Sequence, residues 1–165
     1  MRKTYAPKGQ SPELLTDTKN KDYVSVSRAI SPDGYFYFEV REKEGFRQKG
    51  LTNFLDNTWA DCLDSLLVWW DNASSHKAKA VKSYLKNQEE HPRIWLENTP
   101  PYSPELNPIE LLWANLKHRL ANQFFQNTKQ LKAAVTDILQ QIKNDKELII
   151  SFFKHKELEC YEFFN

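Results

Sequence analysis

Between Tyr23 and Val40 the chain alternates side-chain character twice, as YVSVSRAI and then YFYFEV, with SPDG between the two runs. Alternation of period two sorts side chains onto opposite faces of a strand, and a Pro-Asp-Gly turn folds the second strand back on the first. The pattern predicts an antiparallel β-hairpin over 23–30 and 35–40, and every later element has to be compatible with that ladder. The preceding residues 1–22 are polar, carry Pro7, Gly9 and Pro12, and read as loop or a short edge segment.

Downstream the period changes. Phe46, Leu51, Phe54, Leu55, Trp59, Cys62 and Leu63 recur at helical spacing from Glu44 to about Asp64, with no proline among them. Leu66–Trp70 is a short apolar, β-prone run that predicts a buried strand. Ser74 or Ser75 can cap a helix through about Asn87, with Ala78, Val81 and Leu85 on one side and Lys79, Lys82 and Lys86 on another. Pro92 stops it. A strand at Arg93–Glu97, a proline-punctuated loop from Pro100 to Pro108, a helix from about Asn107 to Asn122 and a last helix from a Thr128 cap to about Phe153 complete the chain. Strands that first pair and then alternate with helices predict an α/β fold with a mixed sheet flanked by helices.

Composition narrows the function classes. At 165 residues the chain has the size of one domain, 1–165, with 127–165 read as a C-terminal helical extension. Its 23 basic and 22 acidic side chains nearly cancel, so any affinity for nucleic acid must come from local patches. The two cysteines, Cys62 and Cys160, have no metal-ligand spacing and fit a reducing compartment. MRKTYAPKGQ has no apolar core of a signal peptide, and no apolar run approaches the ~20 residues of a membrane span, which leads to the expectation of a cytoplasmic protein without a membrane partner.

Two acidic residues stand out by position. Asp71 directly follows the strand-like run in VWWDNASSH, so its carboxylate is expected at a strand's C-terminal end, where open α/β sheets place ligands. Glu110, in NTPPYSPELNPIELLW, falls in the first turn of a helix, where the helix dipole favours an anion. Taken alone, each has an ordinary explanation: Asp71 with Asn72 as a turn at a strand end, Glu110 as a first-turn helix acid. Glu105, between Pro104 and Leu106, is the competing loop acid. Asn107 and Pro108 shape the turn that presents Glu110, with Asn107 as cap. Trp69, Trp70 and Trp113 read as core anchors before base-stacking platforms. Lys79, Lys82, Lys86, Lys117, His118 and Arg119 either form solvated helix faces or track a DNA backbone.

Taken together, the order hairpin, helix, VWWDNASSH, helix, strand, TPPYSPELNPIELLW, helix resembles the catalytic domain of DDE transposases, the bacterial insertion-sequence relatives of the mariner superfamily. YAPKGQSP at 5–12 extends the resemblance over nearly the whole chain. It implies a ribonuclease-H-like fold, DNA strand cleavage and transfer, and two divalent ions, Mg²⁺ or Mn²⁺, held by carboxylates. By the match Asp71 is the second acid and Glu110 the third, both catalytic and metal-holding, while Asn72, His76 and Asn107 are site-adjacent. The implied partners are DNA, as element ends and target, and further copies of the chain in an active assembly.

The resemblance also implies a first acid on a central strand upstream of the YAPKGQSP-like stretch. Asp17 and Asp22 lie downstream of that stretch and Asp33 belongs to the hairpin turn, so none of them matches it. The expectation is therefore a fragment that lacks the first central strand, is inactive alone, and is completed by an upstream-encoded half. The alternative is a non-catalytic remnant or interaction module of a transposable element.

Overall fold

The computed structural model describes residues 23–45, 48–60, 66–70, 83, 84, 86, 94–100 and 103–154. The hairpin forms as its alternation dictates: β1 (Val24–Ile30) pairs antiparallel with β2 (Phe36–Glu42), Val26 facing Val40 and Ile30 facing Phe36. The Ser31 carbonyl accepts the Gly34 N–H at 3.0 Å, and the Ser31 hydroxyl accepts the Tyr35 N–H at 3.1 Å. Gly34 closes the turn with φ of +83°, a left-handed conformation that a side chain would disfavour.

Helix α1 (Gln48–Ala60) occupies the interior of the predicted 44–64 helix, while Glu44 and Gly45 are not helical. A second, parallel ladder joins β3 (Leu66–Trp70) to β4 (Ile94–Asn98), one residue later than the expected Arg93–Glu97. Parallel strands need a crossover between them, and the helical residues 83, 84 and 86 belong to it. The Tyr84 hydroxyl donates to Asp56 Oδ1 of α1 at 2.6 Å, which seats the crossover against that helix. Most of the predicted helix from Ser74 to Asn87, and the polar stretch 1–22, lie outside the described residues. Among the described residues, no strand joins the β1–β2 ladder to the β3–β4 ladder.

The expectation of a buried strand at Leu66–Trp70 fails. Leu67 and Trp69 are exposed, as is Trp95, which faces Leu67 across the ladder. In a pleated pair, Leu67, Trp69 and Trp95 share one face, and that face is open to solvent while Ile94 on the other is buried. Trp69 is therefore no core anchor.

A single turn of 3-10 helix (Pro104–Leu106) leads into α2 (Pro108–Leu120). The predicted single helix 128–153 is two: α3 (Thr128–Lys143) and α4 (Lys146–Phe153). The break follows from local chemistry. Asn144 ends α3, and Asp145 Oδ1 accepts the Leu148 N–H at 3.0 Å, starting a new helix. The α3 cap is Asn127 rather than Thr128, its side chain accepting the Gln130 N–H at 2.9 Å. Six of the nine buried residues of the main core, Val135, Ile138, Leu139, Ile142, Ile149 and Phe152, come from α3 and α4, so these helices are integral to the domain. They pack with Leu112 and Leu116 of α2 onto the hairpin face that carries Phe36, Phe38 and Val40.

Candidate functional site

The ends of the two parallel strands meet in one hydrogen-bonded junction. In the parallel register Trp70 lies beside Asn98, so β3 and β4 end side by side. The Thr99 N–H then donates to the Trp70 carbonyl at 2.9 Å, tying the start of the proline loop to the residue that precedes Asp71. Asp71 itself lies outside the described residues, together with Asn72, His76, Lys79 and Lys82.

Beyond the junction the loop prepares α2. Asn107 caps it: Oδ1 accepts the Ile109 N–H at 3.1 Å and the backbone carbonyl accepts the Glu110 N–H at 2.9 Å. Pro108 at the first helical position has no N–H to satisfy and carries a φ suited to the helix. This is the arrangement expected of Asn107 and Pro108. Glu110 stands at the third helical position, exposed. A glutamate there often reaches back to the N–H of the cap residue. Here that N–H already donates to the Pro104 carbonyl at 3.1 Å, so the 3-10 turn frees the Glu110 carboxylate from capping. The competitor Glu105 is exposed on the 3-10 turn itself.

A water-facing carboxylate is the hard, anionic oxygen donor that Mg²⁺ and Mn²⁺ take. The donor type fits. Among the described residues no group of three His, Cys, Asp or Glu side chains could hold a metal; of the two acids that the motifs single out, Glu110 is the one described.

The basic candidates separate. Lys86 and Lys117 are exposed, with Lys117 Nζ 5.7 Å from the centroid of the Trp113 ring. Arg119 is committed within the fold, its Nε donating to Asn115 Oδ1 at 2.8 Å and another guanidinium nitrogen donating to Gln141 Oε1 of α3 at 3.3 Å. Trp113 packs against the core cluster as an anchor should. The motifs pass over one residue that the structure brings here: Arg28 of β1, whose guanidinium carbon lies 3.9 Å from the Trp113 ring centroid. A signal exists in the sequence, since Arg28 occupies a position of the same parity as Val24, Val26 and Ile30 and so interrupts the apolar set of β1.

Comparison with known proteins places this geometry. A family profile for the DDE superfamily endonuclease matches residues 1–132. No curated protein sequence matches the chain. Among solved structures, the Mos1 mariner paired-end complex with manganese superposes with a TM-score of 0.70 at 22% identity, over 98% of this chain and 48% of the other. The Mos1 transposase catalytic domain with raltegravir and magnesium gives 0.64 at 23% identity, over 87% of this chain and 74% of the other. The Mos1 strand-transfer complex gives 0.63 at 25% identity, over 98% and 48%. The mixed arrangement of small sheets and helices is thus the ribonuclease-H-like fold of that catalytic domain, and the chain spans about half the length of the transposase chains in the two complexes.

Proposed function

We propose, from the premise that the chain belongs to the DDE superfamily endonuclease family, that it is transposase catalytic-domain sequence of the bacterial insertion-sequence branch, acting in DNA strand cleavage and transfer with Asp71 and Glu110 as catalytic acids. The observation that carries the reading is the presentation of Glu110: capped helix start, exposed carboxylate, and a cap N–H already satisfied by Pro104. Cleavage and joining are both in-line displacements at phosphorus. Water attacks in the first and a DNA 3′-hydroxyl in the second, so one site serves both and no covalent protein intermediate arises. Asp71 and Glu110, with a further acid, would hold two divalent ions, Mg²⁺ or Mn²⁺, which would supply charge stabilisation to both displacements.

The chain's own part is placement. Asn107 and Pro108 set the first turn of α2 and thereby the direction of Glu110. The Thr99–Trp70 hydrogen bond ties the end of β3, which Asp71 follows in sequence, to the start of the loop that leads toward α2. Asn72 and His76 flank Asp71 in sequence and act beside it in this reading. Lys117 is the exposed cation on the Glu110 helix best suited to a phosphate, followed by Lys79, Lys82 and Lys86 on the crossover. Arg119 is the weakest of the proposed DNA contacts because Asn115 and Gln141 already occupy it.

The reading covers 1–165 as one catalytic domain in a DNA-bound, homo-oligomeric assembly. In this reading the protein acts in the cytoplasm; among the described residues no helix is long and apolar enough to cross a membrane. Only two positions of these 165 residues match family acids, so residues 1–165 by themselves are inactive in this reading, and the remaining acid has to come from outside them.

Cleavage of a terminal-repeat substrate by residues 1–165 together with a segment that carries the remaining acid tests it. Asp71→Asn and Glu110→Gln each abolish Mg²⁺- or Mn²⁺-dependent cleavage while DNA binding survives, because shape is kept and one anionic ligand is lost. Wild-type rates in the doubly substituted protein would end the assignment. Nicking by residues 1–165 alone, lost on Glu110→Gln, would instead show that another residue fills the place of the first acid.

A further inference from the structure

A strand with one face on the core should keep charge off that face, and β1 does not. Val26 and Ile30 pack against the core cluster from β1, as do Phe38 and Val40 from β2. Arg28 stands between Val26 and Ile30 on the same side of the strand, directly across from Phe38. Its Nε is buried. Withdrawing even part of a guanidinium from water is costly unless the surroundings compensate. Part of the compensation is Trp113, over whose ring the Arg28 guanidinium carbon lies at 3.9 Å from the centroid. The negative face of the indole ring attracts the cation, the more so the less water lies around it.

The ring so held belongs to the helix of the candidate site. Trp113 follows Glu110 by three positions, so the two lie on neighbouring positions of one face of α2. Leu112 and Leu116 seat the helix on the core, Leu111, Trp113 and Leu120 pack against the same cluster, and Arg119 donates to Gln141 of α3. Toward β1, the grip on the helix is at Trp113. Lys117 Nζ, 5.7 Å from the same ring centroid, adds a cation from within α2 but cannot fix the helix against the sheet. Arg28 is on the sheet and can.

We propose that Arg28 is a positioning residue for Glu110: by clamping Trp113 it sets the rotation of the first turn of α2 and hence where the Glu110 carboxylate meets a divalent cation. The inference rests on the reading of Glu110 as a metal-holding acid. Residues that orient a metal ligand without touching the metal typically change affinity by about 10- to 100-fold when removed. A purely structural role would lower stability and leave the affinity of the folded protein unchanged.

The test is a Mn²⁺ titration of the full 165-residue chain by electron paramagnetic resonance, with thermal unfolding of each variant alongside. Arg28→Met is expected to weaken Mn²⁺ binding about tenfold. Arg28→Lys, which keeps a cation over the ring, restores most of the affinity even where the melting temperature does not recover. Trp113→Leu weakens binding to the same extent, and the Arg28→Met/Trp113→Leu double variant weakens it no further, because the two residues act in series. Glu110→Gln isolates the underlying reading. If Glu110→Gln weakens binding while folded Arg28→Met binds like wild type, the positioning role is refuted and the metal-holding role of Glu110 stands. If Glu110→Gln binds like wild type, or the wild-type chain binds no Mn²⁺ at all, the reading of Glu110 fails and the inference falls with it. Should Arg28→Met not fold, Arg28→Lys and Trp113→Leu decide the matter: affinity kept in the first and lost in the second supports the clamp, and equal affinity in both refutes it.

Discussion

Replacing Asn107 by alanine tests whether the first turn of α2, and with it Glu110, is held by the cap. Of the N–H groups that a helix start leaves without partners, Pro108 has none to offer and that of Glu110 is met by the Asn107 carbonyl at 2.9 Å. The Ile109 N–H depends on the Asn107 side chain at 3.1 Å. Alanine keeps the backbone bond and removes only the side-chain acceptor. Loss of such a cap costs about 1 kcal/mol, which corresponds to roughly a fivefold change in an opening equilibrium. For a domain of this size the melting temperature should fall by about 2–4 °C. Asn107→Asp keeps an acceptor at the same place and adds a negative charge where the helix dipole favours one, so it should match or exceed wild type in stability. Urea unfolding measures the global effect, and amide exchange at Ile109 and Glu110 measures the local one. Unchanged urea midpoint and exchange in Asn107→Ala would refute the capping account, as would an Asn107→Asp variant as weak as the alanine variant.

Two further outcomes follow from packing. Leu139 is fully buried among α2, α3 and α4 contacts, so Leu139→Ala should lower unfolding free energy by about 3 kcal/mol in urea, and a loss under about 1 kcal/mol would contradict its place in the core. Gly34→Ala should cost about 1–2 kcal/mol for the left-handed φ of +83°. A further loss comes from the new Cβ, which would meet the Lys146 side chain and stand 3.1 Å from the Lys146 carbonyl oxygen. A Gly34→Ala variant that melts at or above the wild-type temperature would show the turn to be relaxed differently.

What could be read in advance depends on how local its cause is. The hairpin is legible because alternation and a Pro-Asp-Gly turn act within a few residues, and the Asn107 cap because Asn-Pro before an apolar period has few other uses. The split between α3 and α4 was encoded just as locally, in Asn144 and Asp145, but α3 and α4 share one apolar periodicity that hides a two-residue break. The exposure of Leu67 and Trp69 could not be read from Leu66–Trp70 at all. An apolar run states that a strand can be buried on both faces, and only tertiary structure decides what covers each face. At the candidate site the same division holds: spacing and type single out Glu110, since its helix start is local. What surrounds its helix is long-range. Arg28 reaches Trp113 across 84 intervening positions of sequence, and only the folding of the chain makes them neighbours. The one trace left in the sequence is a cation in an apolar parity set, and such an exception gains a meaning once the residue it faces is known. Its partner lies three positions from an acid that the motif had already singled out, which is why the exception bears on the site as well as on the core.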